Sequence, residues 1–343
     1  MGKGPKGPHS KDMLGDRMKF LESMTTEQYL LPGVPMYARL DGRSFHKLTR
    51  GMNHPFDEDF KNVLQTVAAF LVEETHAKLS YVQSDEISLG YFTPEDSYFE
   101  GRIFKLQSVL ASVASAKFVY ECMKIPRLAA IIDKIIPSFD CRVMNIPTVQ
   151  ELANMFLFRE NDAAKNGISQ LAFAHFSPKQ LYKKRGDEKI EMLRDIGIEY
   201  NDIDIHYQRG TFFHRVNRRV ELSEEIIQKI PEDRRNYEED GKIYAVRSFI
   251  EPLRTPARLT ECVNKAGVLF NNEEFIFKEK KQHNGYPKPK FKKSYGGGDA
   301  DNYDRPRKIE RFDGSDEVGD DYNDSEEYNH SEEWQPDSNE NEF

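Results

Sequence analysis

Two segments carry most of the information about fold and chemistry: Tyr37-Ala38-Arg39-Leu40-Asp41-Gly42-Arg43-Ser44-Phe45-His46 and, further along the chain, Tyr81-Val82-Gln83-Ser84-Asp85-Glu86-Ile87-Ser88-Leu89. In each segment a short apolar strand gives way to a turn that carries carboxylates. A divalent cation bound to phosphates is usually held by one or two such carboxylates. The two segments therefore predict metal-assisted chemistry on phosphate groups, although Asp-Gly alone is also a common turn dipeptide.

The elements around these segments follow a recognisable order. Apolar periodicity predicts strands over 34–40, 79–92 (two short strands) and 138–145, and helices over 11–29, 56–78 and 105–123. From the first strand onward, the order strand, helix, strand, strand, helix, strand is the split ferredoxin-like arrangement that also forms polymerase palms. We therefore predict an α+β fold with a palm-like catalytic core over residues 11–148, in which the helix over 11–29 docks on the rest.

The second half of the chain predicts an added helical and strand region. A helical block over 149–174 is followed by a strand-like stretch over 204–220 and a mixed stretch over 246–269. We expect residues 149–275 to complete the catalytic unit. Residues 1–10 are predicted to be a flexible N-terminus, 276–298 a basic linker, and 299–343 a disordered acidic tail.

The negative net charge of the whole chain comes from residues 299–343, and the rest of the chain has a positive net charge. Residues 299–343 hold 17 Asp and Glu against 4 Lys and Arg, a balance of −13, so with −9 for the whole chain the rest carries +4. A mildly basic body permits a polyanionic partner.

The three cysteines are widely spaced and contain no C-x-x-C pair, and no stretch approaches the roughly 20 apolar residues that span a bilayer. These features favour a cytoplasmic protein without a secretory signal or a membrane anchor.

The carboxylates suit nucleotidyl transfer. Two divalent ions roughly 3.5 to 4 Å apart can activate an attacking oxygen and stabilise a leaving group. Asp41 at the end of the first strand and Asp85 on the hairpin meet that requirement if the sheet brings them together, with the Gly42 carbonyl as a further oxygen ligand. The alternative reading is an ordinary turn.

Three sets of polar and basic residues could contact phosphates. Lys105, Ser108 and Ser112 share a helix face where an ammonium and hydroxyls could meet a triphosphate. Arg159 and Asn166 are two helical turns apart and so share a helix face. A third set is a basic cluster that could bind RNA phosphates: Arg215, Arg218 and Arg219. Each pattern is also common on solvated surfaces.

The two acid-bearing segments resemble the two signature motifs of the tRNA(His) guanylyltransferase family, whose members add nucleotides in the 3′-to-5′ direction. The similarity continues through four further segments of the chain: residues 105–112, 139–142, 159–166 and 207–211. It covers about residues 12–220, in order, and it places both predicted acids inside family motifs.

The resemblance implies a site and its substrates. Two Mg²⁺ ions would be held by Asp41, the Gly42 carbonyl and Asp85, with Glu86 close by as a third catalytic residue. ATP or GTP would contact residues spread over the core: Asp41, Gly42, Arg43, Ser44, Phe45, His46, Asp57, Ser84, Asp85, Lys105 and Ser108. Triphosphate or tRNA would contact a second group: Arg159, Asn166 and Arg209. The resemblance also implies 5′-phosphate activation by ATP or GTP, contact of residues 149–275 with tRNA, and a homotetramer.

Two departures from the family pattern bear on the substrate. Ala164 stands where eukaryotic members carry a His tied to selecting tRNA(His), and His54 stands where many relatives place Lys or Arg. The chain is more similar to the guanylyltransferase-like branch, which prefers template-directed repair of 5′-truncated tRNAs. We therefore expect templated 5′-end addition, with G preferred, rather than obligate addition of one G to tRNA(His). Another palm-type nucleotidyl transferase or cyclase, or a non-catalytic RNA-binding protein on the same fold, stays an alternative.

Overall fold

A computed structural model describes residues 13–92, 98–238 and 240–279. Its strands are β1 (Met36–Gly42), β2 (Leu79–Gln83), β3 (Glu86–Tyr91), β4 (Phe139–Asn145), β5 (Thr211–Glu221) and β6 (Tyr244–Leu253). Its α-helices are α1 (Met13–Thr26), α2 (Phe45–Leu48), α3 (Glu58–Thr75), α4 (Ile103–Met123), α5 (Pro126–Ile132), α6 (Val149–His175), α7 (Pro178–Leu181), α8 (Gly186–Asp195), α9 (Ile205–Arg209), α10 (Glu224–Ile227) and α11 (Lys265–Asn271). The predicted flexible N-terminus, most of the basic linker and the acidic tail lie outside the described residues.

The six strands form one antiparallel sheet in the order β4-β1-β3-β2-β5-β6. The chain order β1, α3, β2, β3, α4, β4 is the predicted split ferredoxin-like order, so the predicted α+β palm fold is confirmed. Strand β1 lies between β3 and β4, with Asp41 opposite Glu86 on one side and opposite Asp140 on the other. The sheet therefore gathers acidic residues at one end of three adjacent strands.

Helices cover both faces of the sheet. On one face, Ala38 and Leu40 of β1 are fully buried in a core that helices α3 and α4 supply. On the other face, Tyr37 packs edge-on against Phe156 of α6, with their ring centroids 5.8 Å apart. Because both faces are covered, β2 and β3 are buried along their whole length, and each fully buried large apolar side chain contributes about 1.5–3 kcal/mol.

Local sequence sets where the two long helices on either face begin. Thr148 caps α6 by accepting a hydrogen bond from the Glu151 backbone N–H, at 3.1 Å. Helix α3 is capped in the same way by Asp57. Among the described residues, no helix has both the length and the apolar character needed to cross a membrane.

Two predicted elements differ from the structure. Helix α1 forms, but none of its residues is buried and Met13 is 84% exposed, so the predicted docking on this chain is wrong. Its apolar side chains share one side of the helix, but they stay exposed. The stretch over 204–220 begins with helix α9 rather than with a strand, because Asp204 caps it and Gly210, with a φ of 73°, ends it.

Candidate active site

Asp41 and Asp85 come together at one end of the sheet. Asp41 lies at the end of β1, and the turn between β2 and β3 places Asp85 beside it, where the Gly42 N–H donates to the Asp85 carbonyl at 3.0 Å. Burial raises the pKa of Asp85, and the nearby Asp41 carboxylate raises it further. The Asp41 side chain is 34% exposed, so a ligand can reach the pair from solvent.

The two turns at this end each contain a serine in the left-handed conformation. Ser44, with a φ of 56°, precedes α2, and Ser84, with a φ of 47°, opens the hairpin turn. Such a conformation is uncommon for a residue other than glycine and often occurs at functional sites. The side chains of Arg43, Ser44 and His46 are exposed beside Asp41, where a bound phosphate could reach them.

Phe45 anchors the first turn instead of facing solvent. Its ring is 2% exposed and packs against Phe139 and Phe118, at centroid distances of 5.1 and 5.3 Å. A Cβ atom on Gly42 would lie 2.5 Å from this ring, which explains why a glycine follows Asp41. The Phe45 ring is therefore not accessible to a nucleotide, and the predicted contact of Phe45 with a nucleotide stays a prediction.

Glu86 is enclosed by two arginines. Its Oε2 accepts hydrogen bonds from Arg39 Nε at 2.6 Å and from Arg159 Nη1 at 3.0 Å, while its buried Oε1 has no hydrogen-bond partner among the described residues. Burial raises the pKa of Glu86, and the arginines oppose that shift. Arg39 also donates to Asp41 Oδ2 at 3.1 Å. Glu86 thus holds Arg39 and Arg159 in place, which suits a positioning residue better than a metal ligand.

Arg39 and Asp140 are site residues that sequence reasoning missed. Asp140 on β4 lies directly opposite Asp41, so the two side chains leave the same face of the sheet. The sequence feature that points to Arg39 is its position two residues before Asp41, since such residues share one face of a strand. For Asp140 the only signal was an acid near the start of a strand, because the strand order that places it beside β1 is not visible in the sequence.

The oxygen atoms at this end suit a hard divalent cation. Within residues 13–92, 98–238 and 240–279, no three His, Cys, Asp or Glu residues are arranged to hold a metal. A cation here would therefore rely on the carboxylates of Asp41 and Asp85 and on a backbone oxygen such as that of Gly42. Magnesium accepts one or two carboxylates when water and phosphate oxygens complete its shell. A cation would also relieve the repulsion between the two carboxylates.

A cavity of about 160 Å³ adjoins the Ser84 turn. One wall contains Phe56 stacked on Tyr207, with ring centroids 4.1 Å apart and planes 13° from parallel. Polar groups from several elements reach the same cavity: Asn53, Gln83, Ser84, Asn166 and Gln170. An aromatic wall with convergent polar groups suits a planar base. The structure thus brings Asn166 and Ser84 to one cavity, and their contact with a nucleotide stays a prediction.

Asp57 lines the same cavity but has a structural task. Its two oxygens accept hydrogen bonds from the N–H groups of Asn53 and Phe60 and from both Nη atoms of Arg127, at 2.7–3.0 Å. These bonds lower the pKa of Asp57 to about 2 despite its burial. Since its bonds join the loop before α3, the first turn of α3 and Arg127 of α5, its contact with a nucleotide stays a prediction.

Asp57→Asn is expected to lower the free energy of unfolding by about 2 kcal/mol at pH 6, because the charged hydrogen bonds to Arg127 are lost. The native pKa is depressed, so this stabilisation is present above pH 4 and disappears as the pH falls from about 4 to about 2. Urea unfolding of both proteins between pH 6 and 2 measures the difference. Asp59→Asn, which affects the same arginine at a more exposed carboxylate, is the control and should cost under about 1 kcal/mol. An unfolding difference for Asp57→Asn that does not change with pH would contradict this assignment.

Lys105 and Ser108 are not brought to the carboxylates within one chain. They lie near the start of α4, with Lys105 Nζ 4.4 Å from the centre of the Phe99 ring. It is Ser115, ten residues after Lys105 and seven after Ser108, that reaches the acidic end, where its Oγ accepts from the Phe139 N–H at 2.9 Å. Along a helix these separations are about 15 Å and about 10 Å. The contact of Lys105 and Ser108 with a triphosphate therefore stays a prediction that a single chain does not support.

The remaining predicted basic residues also face elsewhere. Arg209 donates to the Thr255 carbonyl at 2.7 Å and to its Oγ1 at 3.2 Å, away from Asp41. Arg215 donates to the backbone carbonyls at the end of α3, at 3.3 and 3.4 Å, so the predicted basic cluster with Arg218 and Arg219 is not a single surface. Arg159 is the exception, since it reaches the site through Glu86.

Comparison with known proteins identifies the family. The family model described as tRNAHis guanylyltransferase matches residues 15–147, which include both acidic turns. A probable tRNA(His) guanylyltransferase of Drosophila melanogaster is 29% identical over 64% of this chain and 79% of its own length. The tRNA(His) guanylyltransferase of Debaryomyces hansenii is 26% identical over 59% of this chain and 82% of its own length.

Solved structures agree with these relatives. A bacterial tRNA(His) guanylyltransferase-like protein in complex with ATP is 36% identical, with a TM-score of 0.54 over 58% of this chain and 87% of that one. A bacterial protein of the same description in complex with GTP is 28% identical, with a TM-score of 0.50 over 72% of this chain and 93% of that one. The sequence, the palm fold and the paired acids lead to one conclusion: the chain belongs to the tRNA(His) guanylyltransferase family of nucleotidyltransferases.

Proposed function

We propose that the protein is a template-directed 3′-to-5′ nucleotidyltransferase that adds nucleotides, with G preferred, to the 5′ end of tRNA. The observation that carries this proposal is the pairing of Asp41 and Asp85 at a solvent-accessible sheet end beside a base-sized cavity. Nucleotidyl transfer needs stabilisation of the charge that develops on the reacting phosphate, and it needs the base of the incoming nucleotide to be held in a fixed position. The arrangement offers both within one end of the sheet.

Two Mg²⁺ ions are the proposed cofactor. Asp41, the Gly42 carbonyl and Asp85 would hold them, and when bound they would supply charge stabilisation at the reacting phosphate. Two neighbouring side chains orient the Asp41 carboxylate. Arg39 holds Asp41 Oδ2 at 3.1 Å, and Glu86 fixes the same arginine through a 2.6 Å bond. This support keeps the Asp41 carboxylate oriented beside Asp85.

ATP and GTP are the proposed nucleotide substrates, in keeping with the ATP and GTP complexes of the bacterial guanylyltransferase-like proteins. The base would enter the cavity walled by Phe56 and Tyr207, and Asn166 would bind its polar edge or the sugar. The exposed Arg43 and His46 beside Asp41 would then bind phosphate oxygens. The 5′-phosphate of the tRNA would be activated by ATP or GTP before the transfer.

The tRNA is proposed to be selected by its 5′ end rather than by a histidine-specific contact. Ala164 is 6% exposed on α6, so no side chain at this position reaches a tRNA. The proposal therefore covers 5′-end repair as well as guanylylation of tRNA(His).

A homotetramer is the proposed assembly, and the exposed apolar side chains of α1 support it because they are not covered within one chain. A cytoplasmic location stays a prediction.

Labelled GTP, Mg²⁺ and a tRNA lacking its first 5′ nucleotide test the function. Label is expected at the 5′ end when the missing nucleotide would pair with a C on the opposite strand. Changing that C to U should shift incorporation from GTP to ATP, since the opposite base acts as the template. A matched tRNA with a complete 5′ end is the control. Absence of 5′ label from monophosphate and triphosphate tRNA ends alike, or label at the 3′ end only, would rule out the proposal.

A further inference from the structure

Strand β6 forms an open edge of the sheet. It is ten residues long and pairs with β5 on one side, and within the described part of the chain no strand pairs with its other side. Val246 is 72% exposed and Phe249 is 39% exposed, so solvent reaches this edge and the edge carries apolar side chains. A long, exposed edge strand of this kind can pair with a strand from another chain.

The ladder between β5 and β6 shows which backbone groups β6 directs to its open edge. The Leu222 N–H donates to the Ile243 carbonyl at 2.8 Å. These two residues continue the register in which Glu221 lies opposite Tyr244. In an antiparallel ladder, opposite residues that bond each other alternate with opposite residues that do not. The even-numbered residues of β6 therefore direct their backbone groups to the open edge, and Pro252, which has no N–H, is among them, as is usual for proline in an edge strand.

The charges on one face of this edge are not balanced within one chain. Arg247 lies directly opposite Arg218 of β5, and like charges in that position repel each other. Glu251, four residues from Arg247 and so on the same strand face, binds Arg218 at 2.5 Å. Arg247 is exposed and has no ion-pair partner in residues 13–92, 98–238 and 240–279. A strand that pairs with β6 could supply a carboxylate to Arg247.

A second copy of β6 matches this edge in one antiparallel alignment. With a two-fold axis at Phe249, Ser248 of each copy lies opposite Ile250 of the other, and both residues direct their backbone groups to the shared edge. The same alignment places Arg247 opposite the partner's Glu251, twice. An axis at Ser248 or Ile250 gives Arg247 no carboxylate, and an axis at Arg247 places two arginines opposite each other. An axis between two residues would set an outward-directed residue against an inward-directed one.

The face of β6 toward α3 has room for a partner strand. A groove of about 630 Å³ lies there, and the residues that line it include 248–250 of β6 and Ala69 and Phe70 of α3. In the alignment about Phe249, the partner's Ile250 would lie opposite Ser248 and enter this groove. Contact with Ala69 and Phe70 would remove apolar surface from water.

We propose that β6 joins two copies of the chain by antiparallel pairing about an axis at Phe249, with Arg247 bound to the partner's Glu251. The six-stranded sheets of the two copies then form one continuous sheet. The proposal names one interface of the homotetramer and in that respect rests on the proposed function, while the reaction itself plays no part in the argument.

Sedimentation of the full chain at micromolar concentrations tests the charge pairs. Arg247→Glu places two carboxylates opposite each other, so it should raise the dissociation constant of this contact at least about tenfold and give a smaller assembly. Arg247→Glu combined with Glu251→Arg should restore the assembly of the parent protein, because opposite charges face each other again. Arg194→Glu, on the exposed side of α8, is the matched control and should leave the assembly unchanged.

Phe249→Cys tests the position of the axis. In the proposed alignment residue 249 lies opposite its own copy in a pair without backbone hydrogen bonds, where Cα atoms are about 4.5 Å apart, and this separation allows a disulfide. Oxidation should therefore link two copies. Val246→Cys is the matched control on the same strand, because the two copies of residue 246 would be about 20 Å apart and should not link.

Three results would overturn the proposal. The first is an assembly that Arg247→Glu leaves unchanged, even where a tetramer exists. The second is a failure of the double charge exchange to restore assembly in a protein whose thermal unfolding matches that of the parent. The third is a disulfide at Val246→Cys but not at Phe249→Cys. Asp85→Ala should keep the assembly while it loses transfer, so this proposal and the proposed function fail separately.

Discussion

Asp85→Ala is expected to reduce 5′-nucleotide transfer by a factor of the order of 10³, equivalent to about 4 kcal/mol of transition-state stabilisation. The reason is that Asp85 lies beside Asp41 and the Gly42 turn at the solvent-accessible end of the sheet, where it would supply one of the two carboxylates of the proposed metal site. Without Asp85, a single carboxylate and backbone oxygens remain to hold the proposed cations. Single-turnover transfer to a 5′-truncated tRNA measures the loss.

The same substitution should leave the fold intact or slightly more stable. Burial and the neighbouring Asp41 both raise the pKa of Asp85, so its charged form is disfavoured in the fold. Removing a disfavoured charge from an active site commonly raises stability while it lowers activity. Thermal unfolding and tRNA binding should therefore match the parent protein. This combination separates loss of chemistry from loss of structure.

A second aspartate provides the control for that experiment. Asp233 is exposed in the short 3-10 turn at Glu232–Arg234, outside the sheet. Asp233→Ala should keep full transfer, because an exposed carboxylate away from the site supplies neither a ligand nor a buried contact. Transfer by Asp85→Ala within about tenfold of this control would remove Asp85 from the proposed metal site.

The acidic pair was predictable because its signals are local. Strand alternation followed by Asp-Gly, and a strand pair joined at Ser84-Asp85, can be read within ten residues of each turn. The palm order followed from the succession of strands and helices. The register that puts Asp41 opposite Glu86 is a long-range property, because it depends on how two strands 45 residues apart pair.

The supporting groups could not be predicted for the same reason. Arg39 was visible on the strand face of Asp41, but its bond to Glu86 needs the register of β1 against β3. Arg159 reaches Glu86 only because α6 crosses that face of the sheet. Lys105 shows the reverse case. Its helix was predicted correctly, but the direction of the helix carries it away from the acids. Local patterns give the chemistry of a side chain, while the tertiary fold decides which partners it meets.

Glu86→Gln distinguishes a positioning residue from a metal ligand. The carboxylate at 2.6 Å from Arg39 and 3.0 Å from Arg159 is replaced by a neutral amide of the same size. Two half-buried guanidinium groups then lose the buried carboxylate that they share, so we expect the free energy of unfolding to fall by about 2 kcal/mol. Transfer should fall about 10- to 100-fold, because Arg39 no longer holds Asp41 in a fixed orientation. The concentration of Mg²⁺ at half-maximal rate should change little.

Glu121→Gln is the matched control for this variant. Glu121 is also held by two basic side chains, Lys117 and Lys124, each at 2.7 Å, but it lies on α4, on the opposite face of the sheet. Its replacement should cost under about 1 kcal/mol and leave transfer unchanged. If Glu86 were instead a metal ligand, Glu86→Gln would raise the half-maximal Mg²⁺ concentration more than about tenfold, and excess Mg²⁺ would restore the rate. An orientation defect would not respond to excess Mg²⁺, because the cation cannot replace the bond between Glu86 and Arg39.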